Sequence, residues 1–451
     1  MKRIISLILC SVCCNFIAAQ TLLTLEQLKT LARQNNIAIR NAKHSIDAAQ
    51  HQRKEVFSKY FPTISGTGLW FNANKGMAQT ELNLSEQITP ELGMALAQSL
   101  PAEALAVLGN PVSISMMKNG TIAGVTAVQP VFAGGQIVNG NRLAKVGEEA
   151  AQLQLQLSEN EVEKTTEQYF WQLVTLQEKM NTLAAVDTLL ADIHKDVDVA
   201  VRAGVALRND LLQVELRQNE TESQKLKLRN GISIVKLLLA QYCGLRDTSF
   251  TLAPMLTKEG GMLSTELVAA PSGTEWGATP EYRLLQKQVE AAELQRKVTF
   301  GQQIPSVAVG AGYNYHNLLD NNHTFAMVFA TVSVPISDWW GGSHAVKRKE
   351  IEYQQALDEQ QDKSQLLQIR MQSAWNNVTE ARQQLDLAKR SIEQAEENLR
   401  LNRNFYKAGT SKMSDLLEAQ LLYQQALDRR IDALADYRNK LLEYRQSIGG
   451  Q

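Results

Sequence analysis

Few residues of this 451-residue chain are spaced for chemistry. The six histidines are scattered; His44 and His51, seven apart, can share a helix face, as two metal ligands or as a solvated face. Met116-Met117 can line a soft-metal path or fill a gap. Cys10, Cys13 and Cys14 crowd into the first fourteen residues, so Cys243 stands alone in the remainder and has no intrachain disulfide partner. No G-x-S-x-G, H-E-x-x-H or P-loop pattern occurs. The sequence reads as a non-enzyme with no cofactor and no metal set. What does recur is a carboxylate in one setting. Residues 203–212 and 408–417 both read Ala-Gly, five residues, Asp-Leu-Leu. Gly204 and Gly409 fit helix ends, where glycine enters the left-handed region cheaply. Asp210 and Asp415 fit helix starts, where a carboxylate meets free N–H groups and the positive dipole end. Asp210 is followed three residues on by neutral Gln213, Asp415 by Glu418.

The elements that hold these turns are long. Met1-Lys2-Arg3, an apolar run to Ile17 and Ala18-Ala19 have the three parts of a secretory signal peptide, residues 1–19. Ser-Val-Cys before Cys14 fits a lipoprotein signal poorly. Thr24 with Gln27 is a capping box that opens a helix to about Tyr60, ended by Phe61-Pro62. Thr63 to Phe71 and Thr121 to Val131 read as strands. Between them, residues 72–120 form an insertion with a short helix expected from Glu91 to Leu108, broken at Pro101. Ile137 to Arg202 is free of proline and predicts a helix of roughly 100 Å, a coiled-coil length. The first turn and a helix from Asp210 to about Tyr242 follow. Residues 244–279, rich in Gly, Ser, Thr and Pro, read as an irregular linker, and Pro280 suits a first helical position after Thr279.

The pattern then repeats: a helix to about Gln302, strands Ser306 to Tyr315 and Thr324 to Val334 around a turn at Asn321-Asn322, a helix to Lys407, the second turn, and a helix to about Ser447. Pro130 and Pro335, Gly204 and Gly409, and Asp210 and Asp415 are each 205 positions apart. Residues 20–243 and 280–451 are therefore two copies of one unit. In the second copy each strand puts large apolar residues on one face and mostly small ones on the other, which suits a barrel wall with lipid outside and a pore inside.

Charged residues are 21% with a formal net charge of −1, which excludes an electrostatic nucleic-acid binder. After the leader no apolar run is long enough for a membrane helix, so a crossing requires strands in a closed barrel. Four strands cannot enclose a pore; three chains supply twelve. The fold class is mainly α with a small transmembrane β part: coiled-coil hairpins plus four strands per chain, a trimeric 12-stranded barrel continued by a helical tunnel. Trp70, Phe132, Trp339 and Trp340 fit a membrane-interface aromatic belt.

Tyr60-Phe61-Pro62 and Gln303-Ile304-Pro305 before the strands, Pro130 to Gly135 and Pro335 to Gly342 after them, and the two Ala-Gly-x5-Asp-Leu-Leu turns form an ordered set. In this set the chain resembles the TolC-like outer-membrane efflux protein family, over nearly the whole mature chain. The resemblance implies a homotrimer with a barrel in outer-membrane lipid and an α-helical tunnel through the periplasm. It also implies a periplasmic adaptor (membrane fusion) protein and an inner-membrane transporter as partners, docked at the turns, with Gly204, Leu211, Gly409 and Leu416 as contacts. Asp415 and Glu418 match the acidic rings that narrow the family's entrance, and Ser411-Lys412 stands where a bonding arginine is expected. The function implied is the outer-membrane channel of tripartite efflux or type I secretion. A soluble periplasmic coiled-coil adaptor is the other reading; it explains the hairpins but leaves the strands unexplained.

Overall fold

The computed structural model describes residues 22–76, 78–82, 89–99, 112–252, 269–318, 322–336 and 338–450. The expected signal peptide, the helix beyond residue 99 and the centre of the linker lie outside the described residues, as does Asn321 of the expected second-repeat turn. In order the elements are β1 (Leu22–Leu23), α1 (Leu25–Asn35), α2 (Ile37–Ser58), β2 (Thr63–Asn72), β3 (Ala78–Leu82), α3 (Pro90–Ser99), β4 (Val112–Met116), β5 (Asn119–Phe132) and α4 (Gln136–Arg202). They continue with α5 (Arg208–Cys243), β6 (Thr251–Leu252), a 3-10 turn (Glu275–Ala278), α6 (Pro280–Gly301), β7 (Ser306–Asn317), β8 (Asn322–Ser333), α7 (Asp338–Lys407) and α8 (Met413–Ser447). Among the described residues no helix is long and apolar enough to cross a membrane.

These elements gather into two compact units, each drawing on both sequence repeats. The helical unit takes residues up to Gln50, Val146–Glu290 and Gln355–Gln451. One core cluster joins α1, α4, α5 and β6 through Leu28, Phe170, Leu173, Leu239 and Leu252. A second joins α7 to α8 through Val378, Ala381, Tyr437 and Tyr444. The first helix differs from expectation, because Thr24 and Gln27 close the capping box but the helix breaks at Asn36. Asn36 is extended, its Oδ1 accepts from the N–H of Ala38, and its Nδ2 donates to the Tyr242 carbonyl. Asn35 likewise donates to the Cys243 carbonyl at 3.0 Å. Two neighbouring asparagines thus satisfy two free carbonyls at the end of α5, and the helix breaks at a single residue to do so. Cys243 is buried and its thiol is pushed up to about 12, so it carries no thiolate chemistry at neutral pH. The linker also holds a strand: β6 pairs in parallel with β1.

The second unit, His51–Lys145 and Ala291–Gln354, is built on one antiparallel sheet in the order β2-β5-β7-β8. The insertion adds a separate hairpin, β3 with β4, that its composition did not announce. The sheet's register corrects the expected face pattern. Gly310 lies opposite Phe329, Gly312 opposite Met327 and Asn314 opposite Phe325. The large side chains of β8 therefore share a face with the small residues of β7, because odd positions on one strand pair with even positions on the other. A Cβ on Gly310 would run into the Phe329 ring, so the glycine makes room for it. The opposite face carries Ile64, Trp70, Val125, Tyr313, Val328 and Val332, all exposed. A bulge between Pro130 and Phe132 shifts the register and sets Phe132 opposite Val307. Where β5 gives way to α4, Gly134 and Gly301 approach so closely that a Cβ on either would run into the other's carbonyl.

Candidate functional site: the paired hairpin turns

Both turns use one backbone device. α4 ends with Gly204 at φ +75°, its N–H donating to Val201 and the N–H of Val205 reaching back to Ala200. α7 ends with Gly409 at φ +72°, with the same bonds from Gly409 to Tyr406 and from Thr410 to Phe405. This paired pattern satisfies the last free carbonyls and needs a left-handed residue at the glycine. The following helices also start alike. The N-caps are Leu207 and Lys412, and the aspartates sit three residues later. Asp210 Oδ2 accepts from the Leu207 N–H at 3.2 Å, and Asp415 Oδ2 from the Lys412 N–H at 3.1 Å. Each aspartate thus supplies the return half of a capping box, one turn inside the helix rather than at its cap. Leu207 and Lys412 have no side-chain acceptor with which to complete it.

The two turns lie side by side. Ile193 and Val197 of α4, Val214 of α5, and Met413 and Leu416 of α8 form one buried cluster, with Leu211, Leu399 and Tyr406 packed against it. Fully burying an aliphatic side chain of this size contributes about 1.5–3 kcal/mol, so the cluster is enough to hold hairpin to hairpin. Beside it opens a cleft of about 710 Å³, lined by Val205, Asp210, Tyr406, Lys407 and Leu416 among others. Burial, and then the charge of Asp210, push the Tyr406 hydroxyl above its ordinary range. Lys407 pairs with Asp196 across the hairpins at 3.6 Å.

The predicted contact residues separate in this geometry. Gly204 and Gly409 are exposed at the turns, Leu211 is half-buried, and Leu416 is buried in the cluster. Asp415 and Glu418 are both exposed. Asp415 uses both oxygens locally, since Ser414 Oγ donates to Oδ1 at 3.2 Å. Glu418 makes no ion pair among the described residues. In the strand unit, Trp70 and Phe132 lie near opposite ends of the sheet and are exposed. Trp339 and Trp340 lie in the first turn of α7, with Trp340 86% exposed.

A polar seam with no motif of its own lies beyond the turns. Arg217 of α5 is buried, and donates from Nε to Gln420 at 3.1 Å and from Nη2 to Gln424 at 3.0 Å, both on α8. Gln424 donates in turn to Gln224 at 3.1 Å, and Glu220 accepts from Arg217 Nη1 at 3.1 Å. A buried guanidinium is tolerated only when its donors are met, and here three acceptors meet it. The available signal was spacing: Arg217 and Gln224 are seven apart, Gln420 and Gln424 four apart, each pair on one helix face.

Residues 279–450 match the family model described as outer membrane efflux protein. The match spans the second repeat and stops short of the first. Solved structures match across almost the whole chain. The outer-membrane channel OprN is 17% identical, with 95% of this chain and 90% of that one covered and a TM-score of 0.76. CusC, described through its folding and transmembrane channel formation, is 14% identical over 95% of this chain and 92% of that one, with a TM-score of 0.78. The Campylobacter jejuni CmeC outer membrane channel is 16% identical over 94% and 85%, with a TM-score of 0.74. At these identities the likeness is one of fold. No curated protein matches the sequence. The chain therefore has the fold of TolC-like outer-membrane channels, and its second half carries their family signature.

Proposed function

We propose that this chain is one subunit of a trimeric outer-membrane export channel, the outer component of a tripartite efflux or type I secretion system. The observation that carries this reading is the sheet. Four strands leave β2 and β8 with open edges, and one face is a broad exposed apolar surface running from Trp70 to Phe132. Unpaired strand edges are not tolerated in lipid, so such a sheet is completed by pairing with copies of itself. Three copies give twelve strands, with the apolar face toward lipid and the face bearing Thr67, Thr126 and Asn314 toward the lumen.

The helical hairpins then form the periplasmic tunnel, and their turns meet an adaptor protein coupled to an inner-membrane transporter. Gly204 and Gly409 keep the turns slim. Leu416 braces them from inside, and the apolar contact surface is supplied by Val205 and Leu207, which are 80% and 72% exposed. Leu211 lies at the edge of that surface. At the entrance Glu418 is the freer carboxylate and Asp415 the one spent on its helix, so cation selectivity rests mainly on three copies of Glu418.

The test is single-channel recording on the purified protein in planar bilayers, alongside its mass in detergent. The expected result is a trimer forming cation-selective pores, with selectivity lowered in Glu418→Gln and less so in Asp415→Asn. A monomer without conductance overturns the channel. Unchanged selectivity in Glu418→Gln overturns the ring alone.

A further inference from the structure

His316 and His323 stand seven residues apart on neighbouring strands. The register places them directly opposite one another, next to the last pair of the β7–β8 ladder, Asn317 with Asn322. Their ring centres are 5.4 Å apart with the planes inclined at 68°. Directly opposed residues of an antiparallel pair point to the same side of the sheet, so the two imidazoles share one face. Phe325 flanks both, its ring centre 6.0 Å from His316 and 6.3 Å from His323. It narrows the space around the pair on one side and offers no polar atom. His316 Nδ1 is buried and has no hydrogen-bond partner among the described residues.

We infer that the cross-strand pair His316/His323 is a chelating site for an imidazole-seeking divalent transition-metal cation such as Cu2+, Ni2+ or Zn2+. The separation suits this. A metal–nitrogen bond of about 2.0–2.1 Å, plus about 1.1 Å from nitrogen to ring centre, puts two adjacent imidazoles on one square or tetrahedral ion at about 4.4–5.2 Å between centres, so the rings close by only a few tenths of an ångström. A cation held between them also relieves the cost of burying a ring nitrogen unpaired. No group of three or more ligating His, Cys, Asp or Glu side chains occurs among the described residues, so water completes the coordination. Two neutral nitrogens without thiolate favour the borderline ions over Mg2+ or Ca2+, which prefer oxygen. The strands fix both ligands by backbone pairing, so chelation needs no large rearrangement and ties β7 to β8 near their turn. The site is complete within one chain and does not depend on whether the sheet closes a barrel.

The experiment titrates Cu2+ alone into the detergent-solubilised, tag-free protein and counts coordinating nitrogens by electron paramagnetic resonance. His316→Phe and His323→Phe keep a ring against Phe325 and so preserve packing. The paired variant His44→Gln/His51→Gln controls for binding elsewhere. The expected result is one strong site per chain with two imidazole couplings. Each Phe variant is expected to lose one coupling and at least tenfold in affinity, and the His44/His51 control neither. Equal affinity and unchanged couplings in either Phe variant overturn the site, as does a strong site lost only in the control. Conductance of the unsubstituted protein is recorded separately, so failure of the channel reading and failure of the metal site are distinguished.

Discussion

The two hairpin turns share a backbone and differ in surface. Each closes its long helix on a left-handed glycine and opens the next helix on an aspartate at the third position, 205 residues apart. The first shows Val205 and Leu207 to solvent; the second shows Thr410 and Lys412 in their places and adds Glu418. Inside, the order reverses. Leu416 is 1% exposed, whereas its counterpart Leu211 is only half-buried. The two turns share what the chain path requires and differ in the rest. A turn has few backbone solutions, but side chains beyond it answer only to what they touch.

The comparison can be broken most strongly in the shared core. Leu416→Ala is expected to cost about 2–5 kcal/mol, as for a buried leucine, and Leu211→Ala clearly less, read from denaturant midpoints on the same preparation. Equal losses would mean that the turns are braced symmetrically. Next comes the seam, where Arg217 of the first repeat meets Gln420 and Gln424 of the second. Arg217→Ala leaves two buried amides without their partner and should cost about 1–3 kcal/mol, while Leu422→Ala at the exposed corresponding position stays within about 0.5 kcal/mol. The glycines should behave alike. A Cβ at Gly204 or Gly409 meets nothing within 4 Å, so alanine at either costs only the left-handed backbone, about 1–2 kcal/mol. A much larger loss at one of them would reveal a neighbour that the other lacks.

The smallest effect is a pH dependence confined to the second repeat. Burial pushes the Asp428 carboxyl above the usual carboxylate range and Asp432 adds to this, against the pull of Lys179. The first repeat has Ser223 in that place. A carboxyl whose folded pKa is raised binds its proton more tightly folded than unfolded. Its contribution is therefore fully present below the ordinary value of about 3.9 and is lost as pH rises through the raised one. Asp428→Asn should raise the melting temperature near neutral pH and lose that advantage at about pH 4. An equal gain at both pH values would show that the charge is not the cause.

Much of this architecture was legible because long-range order leaves local marks. Thr24 with Gln27, Pro62, Thr279-Pro280 and the turn glycines mark helix boundaries, since capping and proline act within a few residues. The break at Asn36 was not legible, because its cause lies some 200 residues away at the end of α5. Nor was the strand pair β1–β6, two residues to a side, or the β3–β4 hairpin. The site was read unevenly for the same reason. The turn residues announce themselves, but the burial of Leu416 and the partners of Arg217 depend on which helix faces which. The opposed histidines needed the register of β7 on β8, which alternation within one strand does not contain.

That register carries a consequence for how the chain can change. Odd positions on β7 face even positions on β8, and the pairing is continuous from Ser306/Ser333 to Asn317/Asn322. A slip of β8 along β7 by one residue would turn every β8 side chain over, moving Phe325, Met327 and Phe329 to the other face of the sheet. A slip of two would leave the faces intact. Residues gained or lost in the turn change neither face while the ladder keeps its register. The pairing, more than the turn's length or composition, fixes what each face presents.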